Sequence, residues 1–222
     1  MKTAQPWTEV SPEVVRRRFD RLAKHYVLLE WLLTLPPGIR RRGVQALNLR
    51  IGDSVLEVGC GTGRNLSLLR DAVGEEGRIY GIDLSEGMLA EARELIARHG
   101  WKNVELLHAD ALTAELPSAL AGALFSLSYG TMAERRRILR RIWTCIHPEG
   151  RVVILDAKVP AGMLGILTRK LIFAVSRATV LGNPDHKPWD DLSELTPNVE
   201  LREELLGSYF ICVGAKAPSG AG

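Results

Sequence analysis

Residues 55–65 read Val55-Leu56-Glu57-Val58-Gly59-Cys60-Gly61-Thr62-Gly63-Arg64-Asn65, and this stretch decides the fold. Val55, Leu56 and Val58 read as a buried strand, three glycines at alternate positions leave it, and Leu66, Leu68 and Leu69 begin a helical pattern. Glycine belongs where the backbone turns with positive φ, or where a ligand must approach without a Cβ in the way. A strand, a glycine loop and a helix in that order open a nucleotide-type pocket at the carboxyl end of a parallel sheet. A dinucleotide fold would show Gly-x-Gly-x-x-Gly facing a pyrophosphate, but here the third glycine comes one residue early. Glu57, two residues before the first glycine, disfavours a phosphate and suits a cationic ligand. No lysine follows the loop, which excludes a P-loop.

Outward from this loop, strand and helix signals alternate. Strands are expected at Ser54–Val58, Arg78–Ile82, Val104–His108, Ala123–Leu127 and Arg151–Leu155. Helices are expected from about Arg64 to Val73, from a Ser85 cap to about Arg98, and from Met132 to Ile146. Alternation of this kind argues a doubly wound, mostly parallel α/β sheet. Two further strands, Val199–Leu205 and Tyr209–Ala215, flank the short turn Leu206-Gly207-Ser208 and should pair as an antiparallel hairpin, making seven. Upstream, Ser11-Pro12-Glu13 is a helix start, with a hydroxyl cap, proline in the first turn and an acid at the positive dipole end. That helical pattern runs through Trp31-Leu32-Leu33 and stops at Pro36-Pro37-Gly38, and a short helix covers Ile39 to Leu47.

Asp83 ends the second strand, where a doubly wound nucleotide fold carries the acid that accepts bonds from ribose hydroxyls. Read alone, it could equally cap the helix starting near Ser85. Asp110, in His108-Ala109-Asp110-Ala111, stands at the end of the third strand in the same way.

The pattern Glu57-x-Gly59-x-Gly61-x-Gly63 resembles the first motif of class I S-adenosylmethionine-dependent methyltransferases. Asp83-Leu84-Ser85-Glu86-Gly87-Met88-Leu89 resembles the second region of that family. Over roughly residues 11–216 the chain is most similar to the ubiquinone/menaquinone-biosynthesis and bacterial phospholipid N-methyltransferase type. The resemblance implies a Rossmann-like methyltransferase fold with S-adenosylmethionine as donor and S-adenosylhomocysteine as product. The donor-binding set it implies is Tyr26, Glu57, Gly59, Cys60, Gly61, Thr62, Gly63, Asn65, Asp83, Leu84, Met88, Asp110, Ala111 and Ser126. Within that set, Met88 packs on the adenine and Asp110 bonds its amino group. Phe19-Asp20-Arg21-Leu22-Ala23-Lys24-His25-Tyr26 looks like the segment whose tyrosine closes over the sulfonium, although Phe19 and Tyr26 are as well read as core. The fourth strand departs from the pattern, because Ala119-Leu120-Ala121-Gly122-Ala123-Leu124-Phe125 lacks the usual acid.

No side chain declares itself as a catalytic base. Tyr129, at the exit of the fourth strand, and Asp156, after the fifth, are the best placed candidates. His108 and His147 read as structural, and Asp185-His186 as a turn. The histidines have no metal spacing, and no metal is called for. Transfer of the aminocarboxypropyl group from the same donor, or a catalytically silent nucleoside-binding partner subunit, stand as alternatives.

Composition narrows the acceptor only slightly. With 222 residues, 25% charged and 46% hydrophobic, the chain reads as one soluble domain. Residues 1–48 are expected to cap the site, 49–217 to form the methyltransferase domain with a lid insertion at about 160–195, and 218–222 to be a tail. A net charge of +3 with arginine clusters at Arg16–Arg18, Arg40–Arg42 and Arg135–Arg137 fits solvated helix faces, or a weak pull toward anionic membrane. No basic-aromatic recognition module or base-methylation motif suggests a nucleic acid. Met1–Val10 is polar with no apolar signal region, and three scattered cysteines fit a reducing compartment, so a cytoplasmic protein is expected, at most peripheral to the inner membrane face. In Gly162–Arg177, Leu164, Leu167, Leu171 and Val175 share one helical face, expected to be core, with Lys170 and Arg177 opposite beside Ile166 and Phe173. An apolar or lipid-linked small acceptor, a phospholipid amine head group or a quinone-type ring, follows from that segment and the resemblance.

Overall fold

Seven strands form one sheet in the order β3-β2-β1-β4-β5-β7-β6 in this computed structural model, which describes residues 11–23, 35–160, 162–178 and 182–218. The strands are β1 (Ser54–Val58), β2 (Arg78–Asp83), β3 (Val104–His108), β4 (Leu120–Ser126), β5 (Ile146–Ala157), β6 (Val199–Glu204) and β7 (Tyr209–Ala215). The first five run parallel, while β7 pairs antiparallel with both β5 and β6. Strand order reverses between β1 and β4, and an open α/β sheet offers its ligand crevice at the carboxyl ends flanking such a reversal.

Central parallel strands are covered on both faces, so they read as continuous apolar runs instead of alternating ones. All of β4 is buried, as is β1 from Val55 onward. The alternation of Cβ directions splits them between two cores. Val55, Ile79, Leu124 and Val153 pack with Ile39, Val44, Leu66 and Leu69 of helices α2 (Ile39–Ala46) and α3 (Leu66–Val73). Leu56, Val58, Phe125 and Ile154 pack on the other side with Ile138, Leu139 and Ile142 of α5 (Arg135–Cys145). Each such side chain contributes about 1.5–3 kcal/mol by leaving water.

Helix α4 (Glu86–His99) follows β2, with Ser85 Oγ accepting from Met88 N and Gly100 closing it in a left-handed conformation. Helix α1 (Pro12–Leu22) is the described part of the amino-terminal helical pattern; its expected continuation through residues 24–34, Tyr26 included, lies outside the described residues. Between β5 and β6 come α6 (Gly162–Ala178) and α7 (Pro188–Ser193). Among the described residues no helix is long and apolar enough to cross a membrane.

Two strand starts and one helix differ most from expectation. β4 starts at Leu120, because Gly122, which looks like loop, sits in register between Val55 of β1 and Arg151 of β5, and Leu120 pairs with Ile146 across the irregularity at Ala121. β5 starts at Ile146, opposite Leu120, and the Pro148-Glu149-Gly150 turn becomes the irregularity before Arg151 pairs with Gly122. Helix α7 was not anticipated, although Pro188 in its first turn with Asp190 and Asp191 behind it is a start signal.

Candidate active site

The three loop glycines all adopt positive φ, and two of them shape the site. A Cβ on Gly59 would stand 2.5 Å from Ser128 Cβ, so glycine lets the β1 loop meet the β4 exit. A Cβ on Gly61 would meet nothing within 4 Å, because it would enter the cleft itself. That cleft encloses about 950 Å³, open mouth included, at the carboxyl ends of β1, β2, β3 and β4.

Eight of the fourteen residues expected around the donor line the cleft, and one half of it is polar. Gly61 N donates to Asp83 Oδ2 at 2.8 Å and Ser85 N to Asp83 Oδ1 at 2.9 Å. Asp83 thus holds the loop and starts the helix at once, and each oxygen keeps a second lone pair for a ligand hydroxyl. Burial raises its pKa, with backbone N–H groups of Ser85, Gly61 and Leu84 pulling the other way. Gly59, Leu84, Met88, Asp110, Ala111 and Ser126 also line the cleft. Asp110 Oδ1 accepts from Leu112 N at 2.8 Å, which fixes its carboxylate at the β3 exit.

Glu57 lies beneath this half, 1% exposed. Asn65 Nδ2 donates to its Oε1 at 2.5 Å, while Arg40 of α2 donates to Asn65 Oδ1 at 3.2 Å and to Ser126 Oγ at 2.9 Å. Burial pushes the Glu57 carboxyl up to about 7, against the Asn65 hydrogen bond and the Arg40 charge, and the nearby Asp83 charge adds to the rise. Among the described residues, Glu57 Oε2 and Thr62 Oγ1 are buried without a hydrogen-bond partner. Two orphaned acceptors beside an open glycine cradle fit a bound cationic nucleoside. Cys60 and Gly63 pack away from the cleft instead: Cys60 Sγ fills the space over Gly81, and Gly63 meets Leu66. Burial holds the Cys60 thiol well above its ordinary pKa.

The other half is apolar. Val15 and Phe19 of α1, Met132, Ala133 and Ile138 line it, with Ser128 and Thr131 between them. Helix α1 is fastened by Asp20, whose Oδ1 accepts from Ser85 Oγ at 2.6 Å and Gly87 N at 3.2 Å at the positive end of α4. The hydroxyls here are committed: Ser128 Oγ donates to Val58 O and Thr131 Oγ1 to Ser128 O, both at 2.6 Å. The charged side chains at this end are Glu134, bridged to Arg137, and Arg16, bridged to Glu13 and Asp20.

Tyr129 and Asp156, the expected candidates for a base, do not line the cleft. Tyr129 is fully buried, edge-on to Phe125, and donates to Asp191 Oδ2 at 2.8 Å. Burial, then the Asp191 charge, drives its phenol far above the usual range. Asp156 accepts from Gly130 N at 2.9 Å and Ala157 N at 2.8 Å, with His186 Nε2 3.4 Å away. Both residues hold the turn at Tyr129–Thr131 in place. His186 is buried, and Asp185 bridges Arg169. Sequence reasoning gave no site role to Arg40, to Ile138 or to the Asp20 carboxylate itself. Arg40 was counted among solvated arginines, and its partners lie 25 and 86 residues away.

A parallel sheet reversing at β1/β4, a glycine loop over a buried acid, and acids at the β2 and β3 exits are features shared with class I S-adenosylmethionine-dependent methyltransferases. Residues 55–150 match the family described as a methyltransferase domain. The chain is 27% identical over 169 residues to the demethylmenaquinone methyltransferase of Anoxybacillus flavithermus, covering 74% of this chain and 70% of that protein. It is 31% identical over 160 residues to that of Symbiobacterium thermophilum, covering 70% and 63%. The match thus spans about two thirds of those relatives' lengths. A crystal structure of a SAM-dependent methyltransferase from Aquifex aeolicus shares the fold, with TM-score 0.60 and 22% identity over 93% of this chain and 98% of that one.

Proposed function

We propose that the protein methylates a small apolar acceptor, a quinone-type ring in first place and a phospholipid amine head group in second. The observation that carries this is the apolar lining of Val15, Phe19, Met132, Ala133 and Ile138 opposite the polar, donor-binding half of the same cleft. The names of the relatives, demethylmenaquinone methyltransferases, favour the ring.

S-adenosylmethionine supplies a methyl group already activated on a sulfonium sulfur, so positioning the acceptor supplies most of the catalysis. On this reading Asp83 would take the ribose hydroxyls, Met88 the adenine face, Asp110 the adenine amino group, and Glu57 the cationic amino-acid end. Arg40 and Asn65 hold Glu57 for that task. Phe19 and Val15 close the cleft from α1 and exclude water. An acceptor that arrives as an anion, or as a free amine, needs no base from the protein, which suits a lining whose hydroxyls are committed.

The test is a panel of reduced demethylated naphthoquinones, phosphatidylethanolamine vesicles and small soluble amines, read by adenosylhomocysteine release and product mass. A ring product one methyl heavier is expected. Turnover restricted to soluble amines would overturn the reading.

A further inference from the structure

In helix α6, Gly165 and Ser176 are buried on one face, and a Cβ on Gly165 would stand 1.8 Å from Pro160 O. At 100° per residue the opposite face carries Met163, Ile166, Leu167 and Lys170. Met163 is 77% exposed, Ile166 78% and Leu167 75%, and Lys170 is exposed as well. Leu167 therefore does not belong to the core face that its periodicity suggested.

A second exposed apolar feature lies at the same end of the sheet. The β6–β7 turn carries Leu205 and Leu206, 50% and 82% exposed, both at positive φ. That conformation is uncommon for leucine and is held here at a cost. Ser208 O of the turn accepts from Lys158 N at 2.8 Å, which fastens the turn just ahead of α6. Both features therefore leave the sheet at the end that bears the cleft.

From these placements we infer that the outer face of α6, with the Leu205-Leu206 turn beside it, docks on an anionic phospholipid bilayer and presents the cleft to it. Charge selects this occupant. The sequence of α6 contains Lys170, Arg177 and Arg169, the last paired with Asp185, and no acid, the composition of a helix lying at an anionic interface. A second copy of the chain would bring the stripe against itself in a two-fold contact, setting Lys170 toward its own mate. The inference deepens the apolar-acceptor reading and rests on it for the cargo, though not for the surface.

The experiment is flotation with vesicles of phosphatidylcholine alone and with about one-third phosphatidylglycerol, alongside turnover of a water-soluble reduced naphthoquinone without vesicles. The protein should float with the anionic vesicles and roughly tenfold less with the neutral ones. An Ile166→Asp/Leu167→Asp variant should lose roughly tenfold or more of that binding while titrating adenosylhomocysteine like the parent, which shows it is folded. Leu206→Asp should lose a smaller share. No flotation by the parent, unchanged flotation by the double variant, or a dimer in sedimentation that the double variant breaks would each overturn the inference. Turnover without flotation overturns the docking surface and leaves the acceptor reading standing. Flotation without turnover of any ring does the reverse.

Discussion

The two halves of the cleft are built on different physical principles. The polar half is made of short-range, directional contacts: a glycine loop, acids at two adjacent strand exits, and a buried carboxylate held by Asn65 and Arg40. The apolar half is made of shape: side chains from α1 and α5 and the β4 exit meet around an apolar space. Directional contacts tolerate little change, whereas an apolar wall can be rebuilt with different residues of similar volume. Fixed chemistry and adjustable specificity thus share one cavity.

The largest effect should come from filling the cradle. Gly61→Val puts a branched side chain into the cleft at φ 54°, and adenosylhomocysteine affinity measured by calorimetry should fall by roughly a hundredfold or more. Asp83→Ala should act comparably, because it unfastens the loop and removes the acceptor proposed for the ribose hydroxyls together. If either variant binds normally, the two halves do not divide as described.

Next in size is a pH effect confined to the polar half. Glu57 titrates at about 7, so the free site carries a protonated carboxyl below that value. A cationic ligand favours the ionised form, and affinity should therefore fall as pH drops below about 7, by up to tenfold per unit. Calorimetry in buffers of different ionisation enthalpy should detect proton release on binding near neutral pH, and Glu57→Gln should abolish it. For the free protein the sign is reversed: a raised carboxyl pKa means that stability contributed by the neutral form declines as pH climbs from about 4.5 to about 7.

Asp20→Ala tests whether α1 belongs to the cleft. Loss of a charged hydrogen-bond pair costs about 1.5–3 kcal/mol. The acceptor KM should rise several-fold because Val15 and Phe19 ride on the same helix. A change in thermal stability alone would separate α1 from the site.

The smallest kinetic effect belongs to Tyr129→Phe. As a base, Tyr129 would be indispensable. As the buried donor to Asp191 it should leave kcat within about threefold and lower stability by about 1–2 kcal/mol, the cost of an unsatisfied partner. Arg136 Nε, 2.6 Å from Asp191 Oδ1, limits that cost.

What could be read in the sequence follows the same divide. The loop, Asp83 and Asp110 are set by spacing within one strand–turn–helix unit, and periodicity with turn chemistry reveals such units directly. Tyr129 and Asp156 occupy the strand exits as expected, but position along the chain does not say which way a side chain points. Arg40 and Asp20 act across the fold, on partners as far as 86 and 67 residues away, beyond the reach of local patterns. The β4 start was hidden because Ala121 and Gly122 are small, a composition shared by loops and by tightly packed central strands. Leu167 was assigned inward because periodicity defines a face without saying which side the core lies on.

The most direct test follows the methyl group itself. With donor labelled on the methyl carbon and a reduced demethylated naphthoquinone as acceptor, label should pass into the organic phase in step with adenosylhomocysteine. Label retained in methylthioadenosine, or donor bound with no label transferred to any apolar acceptor, would contradict the account.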